Sequence, residues 1–220
     1  MKFFIGTTNE NKVREIGAIL AATGCTFAVT EPVDPEETED DFTGNALLKA
    51  RVYAKSAGGL TIAEDSGLII PSLNGLPGPW SARFSDCNLD GKGENLQVRA
   101  HRKSERQRAE IDKANNELVL QLMDGIEQPR RAASFIVVLA VATEEGEILW
   151  KGVGESHGWI AQEKRGEKGF GYDPIFVGQD TFGRTYAELD SMRKNLKSHR
   201  NRVLKEFKAW LGRFLKENEK

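Results

Sequence analysis

The chain has 220 residues, of which 39% are hydrophobic and 29% are charged, and its formal net charge at pH 7 is −2. This balance is typical of a globular protein with a large core, and it argues against attraction of the whole surface to nucleic acid or anionic lipid. No apolar run approaches the roughly 18 residues that a membrane helix needs, and the apolar start at residues 2–5 is too short for a signal peptide. We therefore expect a single domain over residues 1–220, located in the cytoplasm.

A strand predicted over Lys2 to Gly6 leads into a polar loop, after which apolar residues recur with helical spacing. The loop reads Thr7-Thr8-Asn9-Glu10-Asn11-Lys12. Backbone N–H groups at a helix N-terminus, together with the compact charge of Lys12, suit a phosphate group. The alternative is a loop that only caps its own helix through Thr8 or Asn9. The glycine pattern of a Walker A motif is missing.

An acidic stretch from Glu31 to Asp41 follows a short predicted strand at residues 26–29. It is either a solvated loop or the source of a carboxylate for a hard cation, because Mg²⁺ binds one or two carboxylates plus waters and phosphate oxygens. A helix is then predicted from about Thr43 to Ala57. Lys49 lies at the edge of its buried face, so the side chain either runs along the surface or points into a site.

Two carboxylates interrupt an apolar stretch in the first half of the chain. Leu60-Thr61-Ile62-Ala63 ends in Glu64-Asp65-Ser66-Gly67, and the apolar run resumes at Leu68. Ligands of α/β proteins bind beyond the carboxyl ends of strands, so this position favours a binding site. The alternative is a turn in which Asp65 and Ser66 satisfy local backbone N–H groups.

The second half of the chain predicts further strands and a glycine-rich loop. Residues 132–142 and 148–150 are predicted to form a hairpin, followed by another strand through Val153 to Ile160. The polar segment from Ser85 to Arg108 is predicted to be an exposed helical excursion, without the interleaved aromatics or clean basic face of a nucleic-acid site. The loop from Gly166 to Phe176 carries aromatic residues that either stack on a flat ligand or anchor the core.

Several separated segments share their residues and their order with one known family. They are Thr7 to Lys12, Asn45-Ala46 with Lys49-Ala50, Ala63 to Leu68, Leu73 to Gly78, Ser81-Ala82-Arg83, Gly169 to Phe176, Thr185 with Ala187-Glu188-Leu189, and Ser198-His199-Arg200. Together they resemble the inosine triphosphate pyrophosphatase family over nearly the whole chain. The resemblance implies an α/β fold, in which helices flank a mixed twisted sheet and two lobes surround a central nucleotide-binding cleft.

The same resemblance implies an activity and its partners. The expected reaction is hydrolysis of non-canonical purine nucleoside triphosphates (ITP, dITP and XTP) to the nucleoside monophosphate and pyrophosphate. The expected cofactor is Mg²⁺, and the expected assembly is a homodimer that binds a small nucleotide rather than nucleic acid or a membrane. Three alternatives stay open: a pyrophosphatase for modified pyrimidine or canonical triphosphates, a nucleotide-sensing module without turnover, and a structural or nucleic-acid-associated role that would rest on Arg99 to Arg108 alone.

The resemblance also assigns roles to individual residues. Asp65 is expected to be the catalytic proton acceptor and a metal ligand, with Glu37 as the other metal carboxylate and Glu36 as the alternative to it. Glu64 stands where many members carry a second Asp, so its own part in the metal site is open. The expected substrate contacts are Thr7, Thr8, Asn9, Glu10, Asn11, Lys12, Lys49, Ser66, Phe170, Gly171, Tyr172, Asp173, Lys194, His199 and Arg200.

Base selectivity is expected to follow from matching hydrogen-bond donors and acceptors. A backbone N–H or Arg200 that donates to a 6-keto oxygen would meet another donor when adenine presents its 6-amino group. Guanine shares the 6-keto group, and the sequence does not show what excludes it. The segment between Leu89 and Asn115 is longer than usual in the family and has no functional interpretation.

Overall fold

The computed structural model describes residues 1–33, 35, 41–101 and 106–218, and its fold is mixed α/β, as predicted. The strands within these residues are β1 (Lys2–Gly6), β2 (Thr26–Val29), β3 (Thr61–Ile69), β4 (Cys87–Asp90), β5 (Gln97–His101), β6 (Ala132–Ala142), β7 (Ile148–Ile160) and β8 (Phe176–Gly178). The helices are α1 (Glu10–Leu20), α2 (Phe42–Ala57), α3 (Arg108–Leu122), α4 (Ser191–Lys197) and α5 (His199–Glu217). None of the helices described is long and apolar enough to span a bilayer.

Six strands form one sheet in the order β2-β1-β3-β6-β7-β8, and β4 pairs with β5 in a separate hairpin. β1 runs parallel to both of its neighbours, with Gly6 opposite Ala63 of β3. β7 and β8 are antiparallel, so the sheet is mixed. Because β1 and β3 run in the same direction and Gly6 lies opposite Ala63, the loop that follows β1 lies beside Glu64 and Asp65, which are in the middle of β3. The prediction that the strand ends at these carboxylates is wrong, and so is the alternative of a turn at Asp65 and Ser66, because the strand continues to Ile69.

The chain divides into two compact units. The first comprises Met1–Ser66, Val137–Glu155 and Ser198–Lys220, and the second comprises Gly67–Ile136 and Ser156–Lys197. The core of the first unit packs β1, β3 and β6 with α1 and α5, and the core of the second unit has Leu68, Phe84, Phe176 and Tyr186 among its buried residues. The single domain predicted over residues 1–220 stays a prediction.

Helix α5 forms where its sequence predicts it. Ser198 caps the helix, because its hydroxyl accepts a hydrogen bond from the backbone N–H of Asn201 at 3.2 Å. Apolar residues recur three and four apart, and Val203, Leu204, Phe207 and Leu211 are buried on one face. The cap and the spacing of the apolar residues thus account for this helix.

The prediction of two separate strands after residue 148 is wrong. Residues 148–160 form one continuous strand, although they contain Gly152 and Gly154. A Cβ atom at Gly154 would lie 2.2 Å from the carbonyl oxygen of His199 in α5. The glycines therefore mark close packing of a helix on the strand rather than an interruption of it.

The prediction of a helical excursion from Ser85 to Arg108 is also wrong over the described residues. Its central part is the β4–β5 hairpin, in which Arg99 pairs with Asp90 across the two strands at 2.8 Å. The connection between the two strands starts at Gly91, which has a φ of +83°. The charged composition of the segment concealed the alternation of side chains along each strand.

Candidate active site

The loop after β1 is organised by its own side chains. Asn9 is the N-cap of α1, and its Oδ1 accepts hydrogen bonds from the backbone N–H groups of Asn11 at 3.0 Å and Lys12 at 3.4 Å. The hydroxyl of Thr7 accepts from the N–H of Asn9 at 3.2 Å. Thr8 and Glu10 are exposed. The capping interpretation is confirmed for Asn9, and the phosphate-binding interpretation of the same loop stays a prediction.

A cluster of buried and partly buried charges lies in the first unit, where β1 and β3 meet α1, α2 and α5. Its members, called the charged cluster below, are Lys12, Glu15, Lys49, Glu64, Asp65 and Arg200. The ammonium of Lys49 lies 2.8 Å from Asp65 Oδ1, and that of Lys12 lies 3.2 Å from Glu64 Oε1. Lys49 therefore points inward from α2 to the carboxylate of Asp65 in β3, as one of the two sequence-based alternatives expected.

Glu64 and Arg200 form the most buried ion pair of the charged cluster. Arg200 donates from Nε to Glu64 Oε2 at 2.8 Å and from Nη2 to Oε1 at 2.7 Å, and its Nη1 donates to Glu15. Ser66 donates its hydroxyl to Glu64 Oε1 at 3.4 Å. Both oxygens of Glu64 are thus used by protein donors, which assigns Glu64 the task of holding Arg200 and Lys12 in place.

Burial and neighbouring charges act in opposite directions on the pKa values of the charged cluster. Burial raises the pKa of Glu64, but the charges of Arg200 and Lys12 lower it more, and the pKa ends well below its usual range. Burial lowers the pKa of Lys12, Glu64 opposes this, and Lys49 and Arg200 lower it further, with a net decrease. Another anion beside Lys12 would favour its charged form, so the site suits a polyanionic ligand.

Of the predicted metal ligands, the structure describes only Asp65. This residue is 5% exposed and offers the carboxylate oxygens that Mg²⁺ prefers, whereas Glu36 and Glu37 lie outside the described residues. Among the described residues, no three His, Cys, Asp or Glu side chains are grouped to hold a metal ion. A magnesium site made of one or two carboxylates, waters and phosphate oxygens needs no such group, and Asp65 fits it.

The second unit contains the glycine-rich aromatic segment, called the aromatic loop below (residues 169–173). Asp173 is 3% exposed, and its Oδ2 accepts from the N–H of Phe170 at 2.8 Å and from Lys194 Nζ at 2.6 Å. The Lys194 ammonium also lies 4.4 Å from the centre of the Phe170 ring, within the range of a cation–π contact. Lys194 and Asp173 thus fix the position of Phe170.

The two aromatic residues of this loop have different environments. Tyr172 is 4% exposed, packs in the core of the second unit and donates its hydroxyl to the carbonyl of Ser81 at 3.0 Å. Phe170 is only partly buried. Of the two alternatives for these aromatics, the core anchor is therefore realised by Tyr172, and Phe170 is the ring suited to stack on a base.

The aromatic loop requires glycine at position 169. Gly169 has a φ of +76°, and a Cβ atom there would lie 2.0 Å from Asp173 Oδ2, whereas Gly171 has a φ of +60° with no atom within 4 Å of a Cβ. We expect Gly169→Ala to destabilise the protein by about 1–3 kcal/mol more than Gly171→Ala, because only the first substitution adds a steric clash to the backbone strain. Urea unfolding of both variants measures the difference, and equal losses would contradict this account of Gly169.

Sequence reasoning missed residues that act on the predicted ones. Glu15 holds Arg200, and Asp112 and Asn116 of α3 bind the backbone of Gly171 in the aromatic loop. A signal was present, because Asp112 and Asn116 are four residues apart on a helix and therefore share a face. His199, which was predicted, is 6% exposed at the start of α5, and its charge contributes to the low pKa of Glu64.

The sequence of this chain is similar to that of known proteins over nearly its whole length. The model of the Ham1 family matches residues 3–210. The chain belongs to the Ham1 family.

The resemblance to the inosine triphosphate pyrophosphatase family is confirmed, because relatives of this Ham1 family chain carry names that agree with it. A protein named dITP/XTP pyrophosphatase from Aquifex aeolicus is 38% identical over 93% of this chain and 94% of its own. Its namesake from Bacillus subtilis is 39% identical over 94% and 95%. Among solved structures, a HAM1 protein from Coxiella burnetii has a TM-score of 0.74 at 30% identity, covering 97% of this chain and 99% of its own. The Staphylococcus aureus Ham1 protein has a TM-score of 0.73 at 32% identity over the full length of both chains.

Proposed function

We propose that this chain hydrolyses non-canonical purine nucleoside triphosphates, namely ITP, dITP and XTP, to the nucleoside monophosphate and pyrophosphate. The observation that carries the proposal is the charged cluster, in which Lys49 meets Asp65 and Lys12 meets Glu64 beside the N-terminus of α1. Relatives named dITP/XTP pyrophosphatase, similar over nearly their whole length, support the substrate class.

The phosphate chain is proposed to bind at the charged cluster. A nucleoside triphosphate carries about four negative charges, and phosphoryl transfer depends mainly on positioning and on neutralising that charge. Lys12 and Lys49 supply two cations on separate helices, and the N-terminus of α1 adds its partial positive charge. The side chains of Thr7 and Asn9 order the loop that follows β1, because both accept hydrogen bonds from its backbone N–H groups.

Asp65 is proposed to accept the proton of the attacking water. We place the attack at the α-phosphorus, where the water oxygen bonds to phosphorus, pyrophosphate leaves and Asp65 takes the proton. The water must then lie within hydrogen-bond reach of this carboxylate when substrate is bound. Lys49, whose ammonium lies 2.8 Å from Oδ1, holds this carboxylate in place. We propose that Asp65 and Glu37 hold Mg²⁺, which when bound supplies charge neutralisation on the phosphate oxygens.

The purine base is proposed to bind at the aromatic loop, with Phe170 stacking on its face. The candidate donors to the 6-keto oxygen are a backbone N–H group and Arg200. The guanidinium of Arg200 already binds Glu64 and Glu15, which favours the backbone N–H. Contacts from Lys194, His199 and Ser66 stay predictions, as do the homodimer and the cytoplasmic location.

A panel of nucleotides tests the proposed function. We expect release of equal amounts of pyrophosphate and monophosphate from ITP, dITP and XTP, with kcat/KM about 100-fold above that for ATP, because adenine leaves buried donors unpaired. Removal of Mg²⁺ with a chelator is expected to abolish the reaction, and its return to restore it. Equal hydrolysis of ATP, or preference for a pyrimidine triphosphate, would favour a pyrophosphatase for modified pyrimidine or canonical triphosphates. Binding without turnover would favour the nucleotide-sensing module.

A further inference from the structure

Helix α3 presents polar side chains on a face that is buried in the second unit. Asp112, Asn115 and Asn116 lie at positions i, i+3 and i+4, and therefore on one side of the helix. Asn115 and Asn116 are 1% and 2% exposed, and the Asp112 side chain is 14% exposed. Apolar residues are the usual occupants of such a face, because a buried polar group costs free energy unless it is hydrogen-bonded. The face therefore has a task besides packing.

Two of these side chains hold both backbone groups of Gly171. Asp112 Oδ2 accepts a hydrogen bond from the N–H of Gly171 at 2.9 Å, and the Asn116 amide donates to the Gly171 carbonyl oxygen at 2.7 Å. The same amide donates to the backbone carbonyl of Asp112 at 2.6 Å, which fixes its orientation. We call this pair of contacts the α3 clamp. It acts on the one glycine of the aromatic loop that lies between its two aromatic residues.

The orientation of the Asn116 amide leaves its oxygen without a hydrogen bond within the described part of the chain, and the contacts of the α3 clamp offset this loss of free energy. Its oxygen is buried and has no hydrogen-bond partner among the described residues, because the amide turns its nitrogen toward Gly171. An apolar side chain of similar size would avoid that loss. The contact to Gly171 is thus the feature of this position that an apolar residue could not reproduce.

The third member of the face extends the support to the other side of the aromatic loop. Asn115 donates to the carbonyl of Ser81 at 3.1 Å and accepts from the N–H of Ser85 at 2.7 Å. The carbonyl of Ser81 also accepts the hydroxyl of Tyr172. Tyr172 is therefore anchored at its tip, and the neighbouring peptide is anchored by the α3 clamp. The backbone between Phe170 and Tyr172 has its position set from α3.

We propose that Asp112 and Asn116 are positioning residues for base recognition, which act by fixing the Gly171 peptide beside Phe170. This inference rests on the proposed function, in which the aromatic loop binds the purine base. Gly171 adopts a left-handed backbone conformation at φ +60°, where glycine alone is unstrained, so the chain by itself does not hold this peptide in one orientation. Hydrogen bonds to both its N–H and its C=O remove that freedom. A fixed Gly171 peptide keeps the neighbouring Phe170 ring in the same place for every base, and only a base that matches this surface binds well.

The inference is tested with Asp112→Ala and Asn116→Ala, each compared with wild type on ITP and ATP under the same conditions. We expect KM for ITP to rise about tenfold or more, and the preference for ITP over ATP to fall about tenfold, while kcat stays within about threefold. Binding of inosine monophosphate, measured by calorimetry, is expected to weaken by a similar factor without any turnover. Glu117→Ala is the matched control, because this neighbour on α3 is 54% exposed and pairs only with Lys164 among the described residues.

A conservative variant separates positioning from folding. Asp112→Asn keeps an oxygen that accepts from the Gly171 N–H and is expected to restore most of the ITP preference lost in Asp112→Ala. If Asn116→Ala does not fold, the comparison at position 112 decides alone. Folded variants that keep the wild-type KM and preference would overturn the inference, and so would equal loss in Asp112→Asn and Asp112→Ala. Failure of the wild-type enzyme itself to prefer ITP would instead reject the proposed function.

Discussion

Asp65→Asn is expected to lower kcat for dITP by about 10²–10⁴-fold, the usual contribution of a general base. An amide cannot accept the proton of the attacking water at neutral pH, and it is a poorer ligand than a carboxylate for Mg²⁺. The chain is expected to stay folded, because asparagine has the same shape as aspartate. Its Oδ1 can still accept the hydrogen bond from Lys49 Nζ, which is 2.8 Å long in the wild type. Pyrophosphate release under saturating substrate and Mg²⁺ measures the effect, with circular dichroism as the test of folding.

Asp90→Asn serves as the control for this substitution. Asp90 accepts from Arg99 on the β4–β5 hairpin, and its side chain is 59% exposed, so the change of charge is the same but the carboxylate is not buried. Turnover of Asp90→Asn is expected to match wild type. Near-normal turnover by a folded Asp65→Asn enzyme would remove Asp65 from the mechanism and leave the charged cluster with a structural role.

Arg200→Ala is expected to destabilise the protein by about 3–5 kcal/mol, the typical cost of leaving one member of a buried ion pair without its partner. Glu64 is 3% exposed and would lose two hydrogen bonds from the guanidinium, and Glu15 would lose another. Arg200→Lys keeps the charge but not the two parallel hydrogen bonds, so its loss should be intermediate. Chemical unfolding at pH 7 measures the three free energies.

Arg99→Ala is the matched control, because Arg99 also binds one carboxylate through Nε and Nη2, but with both side chains more than half exposed. Exposed pairs contribute about 0–1 kcal/mol, so Arg99→Ala should change stability little. Equal losses of unfolding free energy in Arg99→Ala and Arg200→Ala would contradict the claim that burial makes the Arg200 ion pair important for stability. A normal free energy of unfolding for Arg200→Ala, with a raised KM, would return Arg200 to the base-binding role expected from the sequence.

The cost of Arg200→Ala is expected to depend on pH. Burial raises the pKa of Glu64, but Arg200 and Lys12 lower it to well below the value of about 4.3 that an unfolded Glu has. The pair therefore stabilises the wild type fully above that unfolded pKa, and the stabilisation is lost as the pH falls below it. Without Arg200, Glu64 takes up its proton at a higher pH. The difference in stability between wild type and Arg200→Ala should shrink between pH 5 and pH 3, as measured by unfolding at each pH.

The sequence predicted the parts of this site that local patterns encode. A strand, a polar loop and a helix over residues 2–20 follow from alternation, capping and helical spacing, and the structure has them in that order. The inward direction of Lys49 was one of two alternatives, because a lysine at the edge of a buried face can turn either way. Only the approach of α2 to β3 decided it, through the carboxylate of Asp65.

Other features depend on partners that are distant in the sequence. Arg200 and Glu64 are separated by 136 positions, and Asn116 and Gly171 by 55, so no local pattern links them. The glycines of β7 allow close packing of α5, which no local pattern shows. Charged residues concealed the β4–β5 hairpin, because its strands have little apolar surface to reveal their period.

By itself, the sequence determined the family and most of the helices and strands, because ordered motifs, caps and periodic apolar residues are local and survive without a partner. The tertiary structure alone decided which buried charges meet and which side chains hold the aromatic loop. The physical reason is that a buried carboxylate, guanidinium or amide is stable only beside its complement. That complement is brought to it by the folding of distant segments.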